Sequence, residues 1–403
     1  MWGHKKIKIL RATQGSNNWH NLTMAKASVD KVIGCAEDRV GSCQEEVSIN
    51  LRDYYNINYI GSMYVGNPPQ QIRAIFDTGS TNIWVISRGC KSSRDLSSEN
   101  QVFDYKNSSS YSPTHIGCMV QFGSGKVQGH FAIDDFRLGG TGEEIEQKNG
   151  KAVHDVIHIK KQTFGVATIE QVFDETFDAI VGLAFPSMSN SIDVGKPMFD
   201  NLMDQQLLNS NIFAFYMALN EKESSELIFG WIDHSRYEEP MIWHPVVHNF
   251  FWQLNLDDVL FNGESIGYCG HNGVKCQITP DSGTSTIAVP SKAFEILSEY
   301  LPVKYRCATA KGLGTITFVV NGEKYDVPSH HFMERTPDDS TLFTYKCITT
   351  ISALDIQQPD CDNMFIVGDA FMSLFYTVFD RDNNRVGMAK AIHGKEDNSG
   401  DFE

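Results

Sequence analysis

Two short stretches of this chain hold the side chains best suited to chemistry. Phe76-Asp77-Thr78-Gly79-Ser80-Thr81 returns as Pro280-Asp281-Ser282-Gly283-Thr284-Ser285. Each copy sets a carboxylate before a hydroxyl residue, a glycine and a second hydroxyl. One such match says little, because Asp, Gly and Ser gather in any surface turn. The same pattern at matching places in two half-chains is much rarer. Each copy is also followed, further along the chain, by two apolar residues and a glycine: Ile180-Val181-Gly182 and Ile366-Val367-Gly368. Apolar Ile75-Phe76 and Ile83-Trp84-Val85 flank the first copy and give Asp77 a buried setting. A buried Asp must be paired or protonated.

Two carboxylates about 3 Å apart cannot both ionise near neutral pH. One keeps a proton and the other stays charged. The charged member can take a proton from a water held between them, while the protonated member donates to a substrate carbonyl oxygen. Water is then the nucleophile and no acyl-enzyme forms. Gly79 and Gly283 permit close backbone approach and offer an N–H to a carboxylate oxygen. The hydroxyls of Thr78 and Ser282 can bond across the interface between the halves, and those of Ser80 and Thr284 can bond the outer carboxylate oxygens. Ser282-Gly-Thr-Ser is not a serine nucleophile elbow, since no Gly-x-Ser-x-Gly follows a strand there. A carboxylate pair also suits glycoside hydrolysis, but that chemistry does not require the repeated context. A peptide binder without activity would need a broken dyad or a blocked glycine, and both Asp and both Gly are intact. Asp178, Asp369 and Asp380 read as hydrogen-bond acceptors in turns, and His330-His331 as a surface pair without ligand spacing.

These loops need rigid elements beneath them. Short apolar runs with Gly, Pro or Asn punctuation read as strands at Tyr59–Val65, Ile72–Phe76, Asn82–Ile86, Ile116–Phe122, Gly129–Leu138, Ser225–Trp231, Thr315–Val320 and Tyr376–Phe379. Helical patterning is confined to Pro197–Leu207 and Ser291–Tyr300. Gly139–Lys151 reads as a polar loop. The fold class is mainly β. The repeat divides the chain into a segment 1–50, a β-lobe 51–215 with Asp77, and a β-lobe 216–403 with Asp281, the change falling near Phe213–Asn220.

Composition narrows the function classes. The chain has 403 residues, 34 Lys and Arg against 50 Asp and Glu, and a net charge of −16. Such a surface repels phosphate backbones, so nucleic acid is excluded as a partner. No run of 18 or more apolar residues offers a membrane span. Residues 1–50 carry seven basic and five acidic side chains, a net +2 that leaves −18 on the remainder. A basic head on an acidic body is either a solvated tail or a detachable segment that lies on the body. Met1-Trp-Gly-His-Lys-Lys is not followed by the apolar run of a signal peptide, which implies a trimmed chain or a start upstream.

There are nine cysteines. Cys35–Cys43 and Cys269–Cys276 are close enough to close short loops. Cys90 with Cys118 and Cys307 with Cys347 complete a pairing that leaves Cys361 alone, although spacing does not fix connectivity. Neither CxxC nor zinc-type His/Cys spacing occurs, so no metal is called for. The cysteines, with the sequons at Asn21 and Asn107, favour an oxidising secretory compartment.

The chain resembles the pepsin-like aspartic protease family over about residues 55–393. The resemblance rests on Gly66-Asn-Pro-Pro-Gln70, Phe76–Val85, Phe177–Pro186, Phe251-Trp-Gln253, Asp281–Ser285, Phe365–Phe371 and Tyr376–Asp380. It implies a bilobal acid protease fold with a deep cleft between the lobes, and Asp77 and Asp281 at its base. It also implies endopeptidase activity at acid pH, without cofactor, in a monomer that binds peptide or protein substrate as an added extended strand. The family's flap matches Met119–Lys126, which places Phe122, Gly123 and Ser124 over the cleft and Trp84 beneath. Phe122 departs from the usual Tyr and cannot donate a hydroxyl hydrogen bond toward the Trp84 indole. Restoring it by Phe122→Tyr is expected to leave kcat within about tenfold, roughly 1.4 kcal/mol. Phe122, the Cys90…Cys118 pair and the polar insert near Gly139–Lys151 are similar to plasmepsins of apicomplexan parasites, more to those that process secreted proteins than to those that digest haemoglobin. Family zymogens carry a basic propeptide on the acidic cleft, which is the role the resemblance implies for Lys5–Arg11. Localisation in an acidic vesicle, a secretory organelle or outside the cell follows from the same likeness.

Overall fold

A computed structural model describes residues 47–54, 58–92, 102–121, 125–139, 147–148, 151–152, 156–171, 176–189, 195–219, 223–301, 312–337, 345–356 and 363–394. Their first strand shows why the architecture is β. Val47, Ile49 and Leu51 are buried while Ser48, Asn50 and Arg52 are exposed, a period of two that only an extended chain can satisfy. This strand, Val47–Tyr54, pairs with Ser225–Phe229 through Val47 opposite Phe229, and with Asn58–Val65. Residues 47–50, at the end of the basic head, are therefore part of the sheet.

The larger sheet has thirteen strands. It runs from Ile242–Pro245 through Arg385–Lys390, Phe375–Asp380, Ile212–Tyr216 and Ser225–Phe229 to Val47–Tyr54. It continues through Asn58–Val65, Gln70–Asp77, Ala179–Gly182, Ile83–Ser92, Ile157–Glu170 and Lys126–Leu138 to Ser112–Gln121. The second sheet has nine strands built around Trp252–Phe261, Cys276–Pro280 and Met364–Val367. The fold is mostly β, as the alternation predicts, and fits the bilobal pepsin-like class.

Each half repeats one local arrangement. Ala179–Gly182 lies parallel to the strand ending at Asp77 and antiparallel to Ile83–Ser92. Met364–Val367 lies parallel to Cys276–Pro280, which ends just before Asp281, and antiparallel to Ile287–Val289. Strands with a neighbour on each side and packing on both faces are continuously apolar, which is why Ala179–Gly182 and Met364–Val367 are buried at every residue.

The helix Ser291–Tyr300 has the bounds its pattern predicts. The helix expected at Pro197–Leu207 is shorter, Met198–Asp204, because the backbone turns to a φ of 52° at Gln206. Met198, Phe199 and Leu202 anchor it in the core. The expected polar loop near Gly139–Lys151 contains a small ladder, Gln147–Lys148 with Lys151–Ala152. Among the described residues no helix is long and apolar enough to cross a membrane, which leaves strands unaddressed.

Candidate active site

Asp77 ends one strand and Asp281 follows another, and the residues after each form a tight turn. Gly79 N–H donates to Asp77 Oδ1 at 2.8 Å and the Ser80 hydroxyl donates to Oδ2. Gly283 N–H donates to Asp281 Oδ1 at 2.9 Å and the Thr284 hydroxyl donates to Oδ2 at 2.9 Å. The two turns are locked to each other. Thr78 Oγ1 donates to the Pro280 carbonyl at 3.0 Å, and Ser282 Oγ donates to the Phe76 carbonyl at 2.6 Å. In return Thr78 N–H donates to Ser282 Oγ at 3.1 Å, and Ser282 N–H donates to Thr78 Oγ1 at 3.0 Å. Thr78 and Ser282 are buried, so these bonds form away from competing water.

This lock presses each carboxyl against the opposite turn. A Cβ added to Gly79 would lie 2.4 Å from Asp281 Oδ2, and one added to Gly283 would lie 2.3 Å from Asp77 Oδ1. Only glycine fits there. The repeated apolar-apolar-glycine has the same cause one layer below. A Cβ on Gly182 would meet the Thr81 backbone at 2.3 Å, and one on Gly368 the Thr284 carbonyl oxygen at 1.7 Å.

Burial, and then the charge of Asp281, raise the Asp77 carboxyl far above its ordinary range. Ser80 and Gly79 oppose the shift by donating to the carboxylate and do not cancel it. A carboxyl in this setting holds a proton in conditions where an exposed Asp has lost it.

The family model "Eukaryotic aspartyl protease" matches residues 58–391. Pepsin A of Bos taurus is 33% identical over 350 residues, 84% of this chain and 86% of that protein. Pepsin II-1 of Oryctolagus cuniculus is 31% identical over 353 residues, 85% and 83% of the two chains. Pregnancy-associated glycoprotein 2 of Bos taurus is 30% identical over 398 residues, 96% of this chain and 94% of that one. The chain belongs to the eukaryotic aspartyl protease family. It is a hydrolase, an aspartic-type endopeptidase.

In this aspartyl protease Trp84 is buried on the strand Ile83–Ser92, 6.3 Å from the Phe131 ring. It shares an apolar cluster with Val120 and Val127, just outside the hairpin tip. Phe122, Gly123 and Ser124 lie outside the described residues, as do Cys35, Cys43, Cys307, Cys361, Asn21 and the segment Lys5–Arg11. Among the described residues no group of three or more His, Cys, Asp or Glu could hold a metal ion.

Three expectations need correction. Asp178 is not merely a turn acceptor: it is fully buried and takes a forked contact from Arg73, Nε at 2.7 Å and Nη2 at 3.2 Å. The signal was present in Ile72-Arg73-Ala74-Ile75, where a cation inside an apolar strand demands a partner. Asp380 does serve its turn, accepting from Asn383 N at 3.0 Å, and it also pairs with Arg385 at 2.7 Å. His330 and His331 are half-buried with rings 4.2 Å apart, not a surface pair, and burial holds His331 down to about 3. The cysteines divide. Cys269–Cys276 is a disulfide with Cα atoms 5.6 Å apart. Cys118 is a buried thiol, pushed up to about 12 by burial, and the Cys90–Cys118 bond is not formed although both side chains pack in one cluster. Cys347 is disulfide-bonded, and its assignment to Cys307 falls on a residue outside those described.

Proposed function

We propose that Asp77 and Asp281 are the catalytic dyad of this endopeptidase and that it cleaves protein substrates at acid pH. The observation that carries this reading is the reciprocal approach of each carboxyl to the other turn's glycine, at 2.4 and 2.3 Å from the added Cβ positions. The pair holds one proton. The ionised member draws a proton from a water between them as the water oxygen bonds to the scissile carbonyl carbon. The protonated member gives its proton to the carbonyl oxygen, so the tetrahedral intermediate is a neutral diol. Its collapse breaks the C–N bond, and a proton passes to the leaving nitrogen. Thr78, Gly79, Ser80, Ser282, Gly283 and Thr284 hold the geometry without taking part in bond changes.

The lobes of this reading are 51–215 and 216–403, with substrate extended in the cleft beneath a flap that carries Phe122. Segment 1–50 acts in part as an inhibitory propeptide. Its net positive charge against the acidic remainder supports this. Acid pH, a secretory or acidic compartment and a monomeric state fit the family, and processing of secreted proteins in the manner of maturase-type plasmepsins is the finer form of the reading.

A fluorogenic peptide tested at about pH 4 to 6 decides the matter. Asp77→Asn and Asp281→Asn are each expected to lower kcat by more than about a thousandfold while circular dichroism stays unchanged. Wild-type protein that binds the peptide and leaves it intact would instead be a peptide-binding member of the fold. Incubation at acid pH followed by N-terminal sequencing tests the propeptide: a head retained in fully active enzyme refutes it.

A further inference from the structure

Leu183-Ala184-Phe185 lies directly after Gly182, and its backbone groups are shared between the two halves of the chain. Toward the Asp77 turn, Leu183 N–H donates to the Asp77 carbonyl at 2.8 Å and Ala184 N–H to the Ser80 carbonyl at 2.8 Å. Thr81 Oγ1 donates to the Phe185 carbonyl at 2.9 Å. Toward the second half, Phe185 N–H donates to the Phe250 carbonyl at 3.3 Å. The Leu183 carbonyl accepts the indole Nε1–H of Trp252 at 3.1 Å.

Trp252 begins the strand Trp252–Phe261, which pairs antiparallel with the strand leading to Asp281, Leu254 opposite Ile278. One end of this strand is thus hydrogen-bonded to the rung beneath Asp77 while its body is hydrogen-bonded to the rung leading to Asp281. The indole is fully buried, with Phe185, Phe379 and Phe213 at 4.5, 5.0 and 5.7 Å between ring centres. Those rings fix its plane, and the buried Leu183 carbonyl fixes what its single donor must reach.

We infer that Trp252 is a positioning residue for the reaction: its indole N–H ties the rung under Asp77 to the strand Trp252–Phe261, the hydrogen-bonded neighbour of the strand leading to Asp281, and so supports from below the separation of the two carboxyls that the Thr78–Ser282 lock holds. The inference rests on the dyad reading above. A packing role alone would use the rings and not the donor. The bond instead joins a segment hydrogen-bonded to the Asp77 turn to a strand paired with the one leading to Asp281. Positional error of about 1 Å between catalytic groups costs on the order of a hundredfold in rate. The Asp281 charge is one of the forces holding the Asp77 proton. Letting the turns drift apart therefore moves the alkaline limb of activity to lower pH.

The test is Trp252→Phe in the full chain, which keeps an aromatic ring and removes the donor. The expected result is a kcat lowered about tenfold or more, a KM within about twofold, and an alkaline limb of the pH–kcat profile shifted toward acid. Phe379→Leu is the packing control: it should lower Tm and leave the limb in place. A Trp252→Phe enzyme with wild-type kcat and limb overturns the inference, and so does a Phe379→Leu enzyme whose limb moves equally far. If Trp252→Phe does not fold, 3-benzothienylalanine at position 252 replaces the N–H by sulfur in the same bicyclic shape and is judged by the same outcomes. Failure of the dyad reading is distinguishable, because Asp77→Asn and Asp281→Asn would then retain cleavage whatever Trp252 does.

Discussion

Ala179–Gly182 beside Asp77 and Met364–Val367 beside Asp281 hold the same place in their halves, yet their starting ends are fastened by different chemistry. In the first half Asp178 precedes the strand. Its N–H donates to the Arg73 carbonyl at 2.8 Å, and its carboxylate takes the Arg73 guanidinium at 2.7 Å. In the second half the preceding residue is Asn363. Its Nδ2 donates to the Lys275 carbonyl at 2.9 Å, and its Oδ1 accepts the Tyr268 hydroxyl at 2.6 Å. Beside it Cys276 is bonded to Cys269. Replacing a carboxylate by an amide removes the need for a cation, and a covalent bond supplies the restraint the ion pair gives in the other half. One half is therefore sensitive to charge at this point, and the other to reduction.

Four changes break or sharpen this contrast. The largest effect is expected where the halves agree. Gly182→Ala and Gly368→Ala drive a Cβ into backbone at 2.3 and 1.7 Å. Each should cost more than about 4 kcal/mol, read as loss of soluble, cooperatively unfolding protein. Next comes Arg73→Met, which strips the guanidinium from a fully buried Asp178. A loss of about 3 to 5 kcal/mol is expected by chemical denaturation, with no such loss for Asn363→Ala. Replacing Cys269 and Cys276 by Ser opens a loop of sequence separation 7. About 2.5 kcal/mol is expected, and the loss should add to that of Arg73→Met, since the sites lie in different halves. The smallest concerns the position two before each Asp. Ile75 sits there in the first half, and in the second Thr279 is fully buried with Oγ1 unbonded among the described residues. Thr279→Val makes the second half resemble the first and should raise stability by about 1 kcal/mol or less.

The Asp77–Asp281 pair gives the contrast a pH dependence. Asp77 has a folded-state pKa raised above its ordinary 3.8. The folded state then binds the proton more tightly than the unfolded chain, so stability is fullest below 3.8 and falls as pH rises toward the raised value. Asp77→Asn should flatten the decline of Tm from acid to neutral pH. Asp281→Asn should flatten it only in part, since it removes the neighbouring charge and leaves the burial.

Much of the architecture was legible because period-two burial writes itself into sequence. Thr315–Val320 and Ser291–Tyr300 fall where their patterns put them. The two turns of the candidate site were legible through repetition: Asp-Thr-Gly-Ser and Asp-Ser-Gly-Thr carry their local hydrogen bonds within a few residues, so residue type implies geometry. Arg73 with Asp178, and Trp252 with Leu183, were not legible as pairs. They join residues 105 and 69 positions apart, and no local pattern marks a partner at that range. The Cys90–Cys118 pairing failed for a related reason, since two cysteines can share an apolar cluster without forming a bond.

By itself the amino-acid order determined the β class, the two-fold repeat and the identity of the acids and glycines at the centre. These are properties of alternation, spacing and side-chain chemistry, which act within short stretches. Only the tertiary structure decided that the two turns interlock through Thr78 and Ser282, that Asp178 takes a guanidinium, and that one strand is bonded toward both aspartates. Those contacts depend on how distant segments are packed, and packing is fixed by the whole core acting together.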